Sequence, residues 1–170
     1  MKINFSEFLT WAFSNCLDNL VRGKLGEYIV AKALNIKSVP FTSWESYDFK
    51  TEEGIKIEVK TSAYLQVWPQ KELSNISWSI AKKRGWIGMT DEWEKEVKRS
   101  ADIYIFCLLN EKDRNKIDPL NTDQWIFYVV PTSFLNETMP DQKTVTRGAL
   151  EKCGFLPVKF EMLQQVLANI

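Results

Sequence analysis

Histidine is absent from this chain of 170 residues. Ser-His-Asp and Cys-His hydrolases, HNH-type nucleases and histidine-ligated zinc or iron centres all need an imidazole, so none of them fits. Hydrolytic chemistry would have to run on carboxylates, lysine and a hard metal ion. Net charge is missing too: 22 basic side chains cancel 22 acidic ones, so a phosphate-binding face has to be local. No apolar run approaches the ~20 residues that span a bilayer. The start of the chain, MKINFSEFLTWAF, lacks the basic, then apolar, then small-residue order of a signal peptide. The expectation is a cytoplasmic protein with no membrane partner. Cysteine is sparse: Cys16, Cys107 and Cys153 are an odd number at wide spacing. Buried free thiols are expected, not a disulfide framework or a zinc site. Internal repeats, low-complexity tracts and linkers are also lacking.

What is present is apolar and aromatic mass, 45% and 13% of the residues, enough for one substantial core and too little for two. A single domain over residues 1–170 is expected. Apolar spacings of three and four predict helices over 3–20 and about 24–35. Strands are expected near 44–50, 55–62 and 76–80, with a charged helix near 90–99. ADIYIFCLL (101–109) is nearly all apolar between polar residues, the mark of a strand buried on both faces. WIFYVVP (125–131) reads as another strand, and KTVTRGALEKCGF and FEMLQQVLANI as helical closure. This mixed order predicts an α/β or α+β fold with helices packed on a central sheet.

The segment SYDFKTEEGIKIEVKTS (46–62) carries the chemistry. If Glu52-Glu53-Gly54 forms a three-residue hairpin loop with Gly54 left-handed, Thr51 pairs with Ile55 and Asp48 lands opposite Glu58. Side chains two apart share a face, so Lys56, Glu58 and Lys60 lie with Asp48, away from Ile55, Ile57 and Val59. Opposed residues have Cβ atoms ~5 Å apart, and opposed like charges are destabilising. Something positive should sit between them. Lys56 or Lys60 would serve without a metal, and IKIEVK also describes any half-exposed amphipathic strand. Glu27 adds a third carboxylate, placed by helical projection between Leu34 and Ala31 on an apolar stripe, where it needs a partner. It also reads as a snorkelling or capping glutamate.

In order and spacing, Gly23-x-x-Gly26-Glu27 on a helix, Tyr47-Asp48-Phe49 on one strand, Ile57-Glu58-Val59-Lys60 on the next and Gln66 shortly after resemble the PD-(D/E)XK nuclease superfamily. The proline often found before the aspartate is Tyr47 here. The resemblance implies a restriction-endonuclease-like fold, a mixed central β-sheet flanked by helices. It also implies hydrolysis of DNA phosphodiesters with Mg²⁺, with Mn²⁺ as a substitute. Asp48, Glu58 and the Val59 carbonyl would ligate the metal, Glu27 would complete the shell or orient a water, and Lys60 would position the water and counter developing charge. Gln66 would hydrogen-bond phosphate, or be an ordinary polar strand residue. DNA is implied over RNA, and relatives of this kind often act as a homodimer.

Substrate contacts are expected from basic residues interleaved with aromatics: Lys82, Lys83 and Arg84 beside Trp78 and Trp86, with Lys143 and Arg147 as a second group. The competing account makes the tryptophans core and the charges of 90–99 a solvated helix face. Two other functions stay open: a nucleic-acid-binding or interaction module that kept the fold without turnover, and a structural protein whose EVK hairpin is surface decoration.

Overall fold

The computed structural model describes residues 2–36, 45–87 and 92–170. Helix α1 (Phe5–Phe13) starts at Asn4, whose side-chain oxygen accepts the Ser6 and Glu7 amides at 2.9 and 3.3 Å. Helix α2 (Asn19–Ala33) starts at Asp18, which accepts the Leu20 amide at 2.9 Å. The helix expected over 3–20 therefore ends at Phe13. Asn15 accepts the Leu17 amide at 3.2 Å, and such short side-chain bonds compete with helix continuation. The helix expected from residue 24 correspondingly begins at Asn19.

The strands are β1 (Phe49–Lys50), β2 (Lys56–Ala63), β3 (Ser77–Ser79), β4 (Lys83–Ile87), β5 (Glu92–Lys98), β6 (Ile103–Leu109), β7 (Trp125–Pro131) and β8 (Thr144–Thr146). Helices α3 (Thr132–Thr138), α4 (Arg147–Lys152) and α5 (Leu163–Ala168) complete the order. Four strands form the central sheet in the order β1-β2-β6-β7. The β2–β6 pair is parallel and the other two are antiparallel, so the expected mixed central sheet with flanking helices is what forms. Two small antiparallel pairs, β3–β8 and β4–β5, stand beside it.

β6 is buried along its whole length, which explains its unbroken apolar run. On one face Ile57, Val59, Ala63, Ile105, Phe127 and Val129 pack under Ile29 and Val30 of α2 and Leu163 of α5. On the other, Tyr104, Phe106, Leu108, Tyr128 and Val130 pack under Trp78, Ile80, Leu135, Val145 and Leu150. Trp78 is thus core, its indole N–H donating to the Cys107 carbonyl at 3.1 Å. A Cβ on Gly26 would overlap the Thr61 hydroxyl, so this glycine lets α2 lie close on β2.

The charged helix expected over 90–99 is instead strand β5 in its described part; residues 90–91 lie outside the described residues. Glu and Lys favour helix, but EWEKEVK pairs along β4 from Ile87↔Glu92 to Lys83↔Lys98, and pairing overrides propensity. Likewise, of the strand expected over 44–50, residue 44 lies outside the described residues and ladder pairing is confined to Phe49–Lys50. KTVTRG contributes β8 before α4 begins. The cysteines are all free, but only Cys107 is buried; Cys16 is half-buried and Cys153 exposed. Among the described residues no helix is long and apolar enough to cross a membrane.

Candidate active site

The β1–β2 hairpin turns as its residues dictate. Gly54 takes φ +92°, and the Thr51 amide donates to the Ile55 carbonyl at 2.9 Å. Pairing runs Lys50↔Lys56 and Phe49↔Ile57, and the Asp48 amide donates to the Ile57 carbonyl at 2.9 Å. Asp48 is therefore beside Glu58, as the turn chemistry required.

The carboxylates meet at the floor of a pocket of about 390 Å³ lined by Asp48, Glu58, Lys60, Lys83, Arg84 and Tyr104, among others. Asp48 Oδ2 accepts the Val59 amide at 2.7 Å. Burial, then the charge of Glu58, push the Asp48 carboxyl up to about 6, with the Val59 amide opposing and Glu27 adding a smaller upward push. Glu58 is nearly buried. Its Oε1 accepts a hydrogen bond from the Lys60 ammonium and lies 3.6 Å from Lys83 Nζ. The positive charge beside the carboxylates thus comes from two lysines on Glu58, one from β2 and one from β4. Tyr104 is register partner to Glu58 across the parallel pair, and burial, then Glu58, raise its phenol well above the usual range.

The β4–β5 hairpin forms one wall. Trp86 and Trp93 meet edge to face at 5.2 Å, and both line the pocket with Arg84 and Lys98. A Cβ at Gly85 would lie 2.8 Å from the Glu94 carboxylate and 2.9 Å from Ser46 Cβ, so the hairpin comes close to the segment leading to Asp48 only because residue 85 has no side chain.

The remaining expected residues lie elsewhere. Glu27 is held by Lys24, both carboxylate oxygens 2.9 Å from its ammonium, and acts on Asp48 through its charge. Among the described residues no three acidic or thiol side chains form a metal-binding cluster. Gln66 is buried: its amide donates to the Ala63 carbonyl and Ser74 Oγ at 3.0 and 3.1 Å, and its oxygen accepts from Arg22 at 3.3 Å. Lys82 is exposed beside Lys83, and Lys143 is exposed on the approach to β8. Arg147 is tied to Glu151 at 2.8 Å and the Tyr64 hydroxyl at 3.0 Å.

Tyr104 and Trp93 are pocket residues that the sequence reading passed over. Tyr104 was hidden in an apolar run, though its register with Glu58 follows once β2 and β6 are aligned in parallel. Trp93 sat in a segment that reads as helix.

Paired carboxylates beside a lysine, walled by cations and tryptophans, are a set of groups that suits phosphodiester hydrolysis. The family agrees: residues 11–145 match the model of bacteriophage T4 endonuclease IV, and the chain belongs to that family. The matched span holds Glu27, Asp48, Glu58, Lys60, Gln66, Lys82, Lys83, Arg84 and Lys143, and stops just short of Arg147. A comparison with curated proteins gave no match.

Proposed function

We propose that the chain is a Mg²⁺-dependent deoxyribonuclease of the PD-(D/E)XK type, with residues 1–170 acting as one catalytic unit. The observation that carries this is the Asp48–Glu58 pair facing one pocket with Lys60 hydrogen-bonded to Glu58. The donor set fits the ion. Mg²⁺ takes hard oxygen ligands, keeps several waters and is commonly held by one or two carboxylates plus substrate phosphate. Asp48, Glu58 and the Val59 carbonyl would hold it, with no third carboxylate needed; Glu27, beyond that set, adds negative potential at Asp48. A bound ion there lowers the pKa of its water and neutralises phosphate charge.

The protein's own groups do the rest. Lys60 leaves Glu58 for the phosphate, positions the attacking water and balances the charge that builds on the phosphoryl oxygens. Lys83 and Arg84 draw the DNA backbone to the pocket mouth, with exposed Lys82 adding to the field. Trp86 and Trp93 offer ring faces and edges for bases beside the scissile bond.

The test is incubation with supercoiled, linear and branched DNA, with Mg²⁺ or Mn²⁺ and with chelator. Metal-dependent cleavage that chelator abolishes is expected. DNA binding without cleavage under any of these conditions would identify a binding module on the same fold.

A further inference from the structure

The Tyr104 hydroxyl has no task in the reading above. Two other tyrosines packed on the same face of the sheet have partners: Tyr128 donates to Glu151 at 2.8 Å, and the Tyr64 hydroxyl accepts from Arg147 at 3.0 Å. Tyr104 is only 4% exposed and lines the pocket, yet among the described residues its hydroxyl makes no hydrogen bond. The oxygen keeps contact with solvent in the pocket and is not sealed in the core, so it is open to a ligand. Phenylalanine would fill the same space beside Phe106, whose ring lies 5.7 Å away.

Its position is specific. Register partners on neighbouring strands are ~4.8 Å apart, and Tyr104 is the partner of Glu58, so the phenol rises beside the carboxylate. No hydrogen bond joins it to Glu58, whose Oε1 is engaged by Lys60 and Lys83. The hydroxyl is left as a donor on a buried central strand, in the same pocket as the two carboxylates, Lys83 and Arg84.

We propose that Tyr104 is a catalytic residue, its hydroxyl donating a hydrogen bond to a non-bridging oxygen of the scissile phosphate. This rests on the nuclease reading. A donor preset on a rigid strand needs little reorganisation as charge grows on that oxygen, so it acts more on the transition state than on the bound substrate.

The experiment compares wild type with Tyr104→Phe. Single-turnover cleavage with Mg²⁺ should fall about a hundredfold. The Kd for the same labelled DNA in chelator should stay within about twofold, and the melting temperature should be equal or higher, because the deleted group had no partner. Sulfur replacing one non-bridging oxygen at a mapped cleavage position should slow wild type in one diastereomer, and Tyr104→Phe should lose that extra slowing. If wild type does not cleave DNA with Mg²⁺ or Mn²⁺, the nuclease reading fails and takes this inference with it. If wild type cleaves and Tyr104→Phe keeps the full rate, only the inference fails. A lower melting temperature, or identical sulfur effects in both proteins, would also overturn it, making the hydroxyl structural.

Discussion

Arg99 and Glu58 are both buried charges, 6% and 8% exposed, and both border the same pocket, but their surroundings are opposites. Arg99 donates to the carbonyls of Ile80, Leu135, Met139 and Gln142 and to the Asn136 side chain, at 2.7 to 3.3 Å. All of its donor nitrogens are engaged, so it has nothing left to offer a ligand; it ties β3's exit to the α3 end. Glu58 faces the like charge of Asp48, which raises the Asp48 carboxyl, and leans on two lysines from different strands. Saturation marks a charge that holds the fold together. Opposition and sharing mark one that the proposed cation and phosphate would complete.

The sharpest break of this contrast is Lys60→Ala. Cleavage should drop about a thousandfold, since a donor aimed at developing charge is lost, while Mg²⁺ affinity, read by calorimetry, stays near wild type because lysine is not a ligand. Full activity would remove Lys60 from the mechanism. Arg99→Met should do the reverse. Several carbonyls lose their donor, and stability should fall by about 3 kcal/mol in denaturant melts, with cleavage per folded molecule within about threefold of wild type.

Asp48→Asn sits between these extremes. The folded carboxyl is raised from 3.8 to about 6, so the ionised form opposes folding. That cost is absent below about pH 4, grows to about pH 6 and is complete above it, on the order of 3 kcal/mol at ~1.4 per unit. The metal-free variant should therefore melt at or above wild type near pH 7, with the two curves converging near pH 4. Mg²⁺ at a hundred times its Kd should stabilise wild type by ~2.7 kcal/mol and barely affect the variant. A variant less stable than wild type without metal, beside a wild type indifferent to Mg²⁺, would make Asp48 a structural partner of the Val59 amide. The smallest effect belongs to the rim: Lys82→Gln with Lys83→Gln should lower the slope of log affinity against log salt by about 2 and weaken DNA binding modestly. An unchanged slope would move the backbone contacts toward Lys143.

The hairpin was legible because its rules are local. A glycine at a left-handed position fixed the turn, the turn fixed the register, and the register put Asp48 beside Glu58. The buried strands were legible because a strand covered on both faces must be apolar throughout. What failed depended on partners distant in sequence. EWEKEVK has helical composition and becomes a strand only because β4 offers a ladder. The break after α1 turned on single side-chain bonds from Asn15 and Asp18. Tyr104 became visible only when the register of a parallel pair, which no short turn sets, was known.

That parallel pair also bears on how the protein reaches its native state. The Lys56 amide donates to Asp102 across 46 positions at 2.8 Å, and every rung of β2 on β6 closes a loop of similar length before it gains anything. Such pairings form slowly and late. The hairpin carrying Asp48 and Glu58 can form early on its own, whereas the strand bringing Tyr104 beside them arrives only when the sheet closes. During refolding, secondary structure should therefore recover before catalysis, and a chain released before β6 would carry both carboxylates without an active site.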